Sequence, residues 1–209
     1  METRGFAESE RLSAWFAAAT PHAATATAEW CAKPHLPRRL HCGVTFDVVV
    51  ADRHLVGEAY RLLALYQQPL GPAVAFAGRR FAAVLVPPAT QQRWSQLMAT
   101  TPWPSRFPEP VCLGAGHTIR IPAPAARSAG TAVRWLEPPD EEQAIGGTPL
   151  LTGPAQLARC LTEAGNLLAP QVRTSRRGTV AAVRPDRSCI PFRGRDDEDS
   201  RTDAAHPAL

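Results

Sequence analysis

Leu12, Trp15, Phe16 and Ala19 recur at helical spacing, which predicts a short amphipathic helix over residues 8–19 that stops before Pro21. The Ala/Thr-rich piece 23–28 reads as a linker. Residues 44–51 (VTFDVVVA) are β-branched and almost continuously apolar, and Gly43 precedes them. Such a run predicts a strand buried on both faces. Leu55, Ala59, Leu62, Leu63 and Tyr66 then form a helical stripe, ended by Gln68-Pro69-Leu70-Gly71-Pro72. Two apolar runs, 73–76 and 81–86, flank Ala77-Gly78-Arg79-Arg80 and predict a hairpin with two arginines at its tip, closed by Pro87-Pro88.

Residues 90–99 predict a second helix with Trp94, Leu97 and Met98 inward. Short strands are expected at 111–113, 117–121 and 132–136. Pro154 opens a last helix carrying Leu157, Leu161, Ala164 and Leu168, with its end expected at Pro170. Beyond Gln171 the apolar period disappears, and seven arginines precede the acidic run Asp196-Asp197-Glu198-Asp199, as expected of a disordered tail. The element order predicts an α+β domain with a mixed or antiparallel sheet flanked by helices. Its expected organisation is an N-terminal helix and linker (1–29), a central domain (30–170) and a charged tail (171–209).

Composition adds little to this frame. No apolar run is long enough to span a bilayer, and Met1-Glu2-Thr3-Arg4 is not followed by a signal-like apolar block. The expectation is a soluble, cytoplasmic protein without a membrane. A net charge of +4 and a pI near 9.1 invite a nucleic-acid partner. That signal is modest, because Lys33 is the only lysine and the arginines accompany abundant Ala and Pro, as in GC-rich coding. Five cysteines without paired spacing read as reduced packing residues.

Four phrases in this order, HCGVTFDVVVA, GPAVAFAGRRFAAVLVPP, VCLGAGHTIRIPAP and VRWLEPP, cover about half of the chain. The series resembles the N-terminal domain of bifunctional DNA primase/polymerases, the prim-pol proteins of short actinobacterial type. The resemblance implies an archaeo-eukaryotic primase-like fold and nucleotidyl transfer in DNA replication. It also implies a strand with two acids one residue apart, a small-x-His motif on a following strand and a further acid on a later one. Side chains at i and i+2 on a strand share a face, so two carboxylates can converge on Mg or Mn.

Asp47 fills the first catalytic position, but its i+2 partner is Val49. Asp52 is five residues on, which puts it on the opposite face and about 16 Å along an unbroken strand, unless a bulge near Ala51 intervenes. Arg79-Arg80 stands where the histidine is expected, and Cys112-Leu113-Gly114-Ala115-Gly116 supplies no acid. Between Ala59 and Leu136 the only carboxylate is Glu109, against eight arginines.

The expected function is therefore a catalytically degenerate prim-pol-like protein that binds nucleotide or DNA through an arginine-rich sheet face. Arg79, Arg80 and Arg120 are the candidate phosphate contacts, through forked guanidinium hydrogen bonds. The alternatives are a regulatory or scaffold protein with a protein partner, and an active nucleotidyltransferase whose metal site is non-standard or completed by a partner. Cys31, His35, His41 and Cys42 lie within twelve residues and have zinc-type donors, although not in knuckle spacing. Gly114-Ala115-Gly116-His117 reads as a tight turn, since no helix follows it.

Overall fold

A computed structural model describes residues 2–175, apart from 34–35, 101, 105, 125–131, 141–143 and 145–147. The chain opens with helices α1 (Glu2–Ala17) and α2 (Ala23–Ala32), followed by strands β1 (Arg38–His41) and β2 (Asp47–Asp52). Helix α3 (Arg53–Leu65), strands β3 (Ala73–Phe76) and β4 (Phe81–Val86) and helix α4 (Gln91–Met98) come next. Strands β5 (Val111–Leu113), β6 (Thr118–Ile121) and β7 (Val133–Glu137) precede helix α5 (Pro154–Ser175). The class is α+β, with two antiparallel sheets among the described residues: five strands in the order β5-β2-β4-β3-β7, and a separate β1-β6 ribbon.

Strand β2 is apolar on both faces because both faces of the large sheet are covered. Val49 and Ala51 pack with Val84, Val86 and Cys112 against Leu55, Ala59 and Leu63 of α3, Trp94 of α4 and Leu157 and Leu161 of α5. Val48, Val74, Ala83 and Leu85 face the other way, toward Leu12 and Phe16 of α1, Trp30 of α2, and Leu40, Ile119 and Ile121 of the ribbon. The strand begins at Asp47 instead of Val44, because Gly43 N–H donates to Phe46 O (2.8 Å) and turns the intervening residues out of the ladder. The hairpin lies where the apolar runs place it, and Gly78 at its tip has φ +67°, which residues with a Cβ rarely adopt.

Three local expectations change. The stretch 23–28 is the first part of α2, because alanine is the strongest helix former and Ala26 and Trp30, one turn apart, are both buried. Its run of small residues hides the amphipathic period. Helix α5 does not end at Pro170 but continues to Ser175, so residues 171–175 are helical and not tail. Proline at that position removes one amide donor, and Arg106 Nη1 donates to Ala169 O (3.2 Å), which occupies a carbonyl of the same turn. Finally, β1 has no counterpart among the expected elements. The tail beyond Ser175 and the zinc candidate His35 lie outside the described residues. No helix among the described residues is long and apolar enough to cross a membrane.

Candidate functional site

Strand β2 carries both acids that the sequence singles out, one at each end. Asp47 is 1% exposed, and its Oδ2 accepts the backbone N–H of Gln91 (2.9 Å), the first residue of α4. Thr90 precedes that helix but does not cap it, since its hydroxyl donates to Pro87 O (2.6 Å) instead. Asp47 thus supplies the cap from across the sheet, where its negative charge also meets the positive end of the helix dipole. Its Oδ1 has no hydrogen-bond partner among the described residues.

The turn between β5 and β6 closes over this carboxylate. A Cβ at Gly114 would come within 2.5 Å of Gln91 Oε1 and 3.2 Å of Asp47 Oδ1, so the close approach requires glycine. His117 N–H donates to Gly114 O (3.1 Å), which makes the segment a tight turn, as its sequence suggests. Cys42 and Cys112 are buried beside it. Burial, with the Asp47 charge adding to it, pushes the Cys42 thiol up to about 11 and the Cys112 thiol up to about 12.

Raised thiols fix the sign of an alkaline effect. The unfolded chain loses these protons near the ordinary value of 9.0, before the folded chain does, so stability present below that pH is lost as it rises toward 11 and 12. Urea midpoints are expected to hold steady up to about pH 8.5 and then fall, with a shallower fall in Cys112→Ala. A midpoint that stays level through about pH 10.5, or an unchanged fall in that variant, would contradict this assignment.

Asp52, at the far end of the strand, is 4% exposed and caps α3, its Oδ1 accepting His54 N–H (2.9 Å). Its Oδ2 accepts Arg80 Nε (3.1 Å) and Nη2 (2.8 Å), while Arg53 N–H donates to Arg80 O (2.7 Å). Arg80 is therefore tied to the start of α3, with two of its donors engaged. Arg79 is exposed at the hairpin tip, and Arg120 is exposed on β6, in the other sheet.

The sequence-predicted residues do not converge. The register of β2 with β4 runs without a slip from Asp47 to Asp52, so there is no bulge at Ala51, and the two acids remain about 16 Å apart on opposite faces. Glu109 is exposed in the segment before β5. Cys31 is exposed on α2, whereas His41 and Cys42 point oppositely, one exposed and one 2% exposed. Among the described residues no group of three or more His, Cys, Asp or Glu could hold a metal ion. The described donors thus do not assemble a two-metal centre for Mg or Mn, and of the zinc candidates Cys31, His41 and Cys42 are not brought together as a group, while His35 lies outside the described residues.

Two surface depressions, of about 320 and about 290 Å³, lie where the C-terminal end of α3 meets the first turns of α5. Tyr66, Gln68, Gln156, Arg159 and Cys160 line the first. Tyr66 donates to Glu163 Oε1 (2.7 Å) and Arg159 lies 5.5 Å over its ring, so these polar groups satisfy one another. None of the predicted site residues lines either depression.

The feature that the sequence did not expose is a pair of arginines. Arg39 on β1 stands directly opposite Arg120 on β6, and His41 opposite Thr118, all four exposed. Alternation in Arg39-Leu40-His41 and Thr118-Ile119-Arg120-Ile121 was the available signal, but it does not tell which strands pair. No protein-family model matches the chain, and neither a curated protein nor a solved structure matches it.

Proposed function

We propose that the chain is a primase-polymerase-like domain that performs no nucleotidyl transfer of its own and binds nucleic acid. The resemblance of its four central phrases supports the ancestry, and the α+β order with an antiparallel sheet is compatible with it. One observation carries the loss of catalysis: Asp47, the single signature acid, is buried and engaged as the cap of α4. Two-metal transfer needs several carboxylates converging on a solvent-filled site that also admits primer and triphosphate. Here both faces of the large sheet carry apolar cores, and the candidate contacts Arg79, Arg80 and Arg120 sit on a hairpin tip and a ribbon instead of on an open face of that sheet.

Primer synthesis and primer extension, measured with magnesium and with manganese, are expected to stay at background for the wild-type chain and for Asp47→Ala alike. Robust metal-dependent synthesis that Asp47→Ala abolishes would overturn the proposal and restore the active nucleotidyltransferase. Nucleic-acid binding is tested separately below.

A further inference from the structure

The β1-β6 ribbon presents two side chains from each strand to solvent. Arg39 and Arg120 are cross-strand neighbours whose Cα atoms are expected about 4.5–5.5 Å apart, and His41 and Thr118 form the next pair along. Leu40, Ile119 and Ile121 point inward, into the core shared with α1 and α2. The ribbon's eight residues include no acid. Arg38, the other basic residue of β1, is ion-paired with Glu29 of α2. Neither the Arg39 nor the Arg120 guanidinium has an ion-pair or hydrogen-bond partner among the described residues.

Like charges directly opposite on a sheet weaken the pairing that holds them, and an anion bridging them reverses the effect. Two neighbouring guanidinium forks suit phosphate oxygens, to which each can give two hydrogen bonds. A threonine hydroxyl and an imidazole beside them extend the donor row along the ribbon. Neither of the two depressions described above takes in a ribbon residue. Small nucleotides are normally held in concave sites that bury most of the ligand, so this face suits a linear polyanion that can lie across it. We infer that the outer face of the ribbon, Arg39, His41, Thr118 and Arg120, binds the phosphodiester backbone of nucleic acid. This rests on the proposed nucleic-acid function and assigns it to a surface distinct from Arg79 and Arg80.

The test follows the anisotropy of fluorescein-labelled oligothymidylate, titrated with the full chain between about 50 and about 200 mM salt. Arg39→Gln/Arg120→Gln is expected to bind at least about tenfold more weakly at the low-salt end. Its slope of log K against log salt should be shallower by about 1.4, since each phosphate that an arginine neutralises on a single strand adds about 0.7 to that slope. Arg120→Gln alone should show about half of that change, and Arg93→Gln, at an exposed position of α4, should match wild type. Basic residues after Ser175 are common to all these proteins, so the difference in slope isolates the ribbon.

Relief of like-charge repulsion should leave the melting temperature of the double variant at or above that of wild type, which separates weakened phosphate binding from impaired folding. Wild-type binding that both ribbon variants leave unchanged would overturn the surface assignment while sparing the proposed function. Absence of wild-type binding at about 50 mM salt would overturn both. Displacement of the oligonucleotide by polyglutamate of equal charge, at equal concentration, would overturn phosphate recognition in favour of an acidic protein partner.

Discussion

Asp47→Ala is expected to lower the unfolding free energy by about 3 kcal/mol, read from urea denaturation. Losing an acid cap costs about 0.5–2 kcal/mol in general and up to about 3 kcal/mol where the amide finds no other acceptor. The upper end is expected here, because the carboxylate is almost fully enclosed and Thr90 is already committed to Pro87 O. Asp47→Asn keeps an oxygen that can accept from Gln91 N–H and removes a buried charge whose Oδ1 is unpartnered, so it should retain most of the stability. The pair of variants separates a cap from a metal ligand. If manganese raises the wild-type melting temperature and Asp47→Asn abolishes that rise, the capping role is not the whole account.

Asp52→Ala should cost about 2–3 kcal/mol, the second-largest single effect. It removes the cap of α3, for about 1 kcal/mol, and two charge-assisted hydrogen bonds from Arg80. Arg80→Ala should cost less, about 1 kcal/mol, because the arginine side chain is 60% exposed and water screens the pair on that side. The two partners of one ion pair are thus unequal. In a double-mutant cycle the coupling should lie below the cost of Asp52→Ala, because the capping part is independent of Arg80. Equal costs for the two single variants would mean that the ion pair, and not the cap, dominates.

Much of the fold was legible from apolar period. Strand β2, the hairpin at Ala77–Arg80, and helices α3 and α4 lie within a few residues of their expected places because burial there is strongly periodic or continuous. Helix α2 escaped because alanine fills both its faces and blurs the contrast between them. Strand β1 escaped for a different reason: four residues between prolines and a turn hold too short a pattern to identify.

For the candidate site, sequence spacing already separated Asp47 from Asp52, and the unbroken register of β2 agrees. What spacing could not reveal is what each carboxylate holds. Gln91 lies forty-four positions from Asp47, and Arg80 twenty-eight from Asp52, so both partnerships exist only in the folded chain. The same holds for Arg39 and Arg120, ordinary surface arginines in the sequence and neighbours only through strand pairing.

The second core has a consequence for where the molecule can be cut. Leu12, Phe16, Ala19 and Trp30 come from the first two helices and the turn between them, yet they close the sheet face formed by Val48, Val74, Ala83 and Leu85. A fragment starting near residue 30, where a domain boundary looks natural in the sequence, would keep the ribbon but strip the helices from that face and present part of a sheet of valine, alanine and leucine to water. A recombinant version meant to keep that face covered therefore has to retain the packed parts of both α1 and α2.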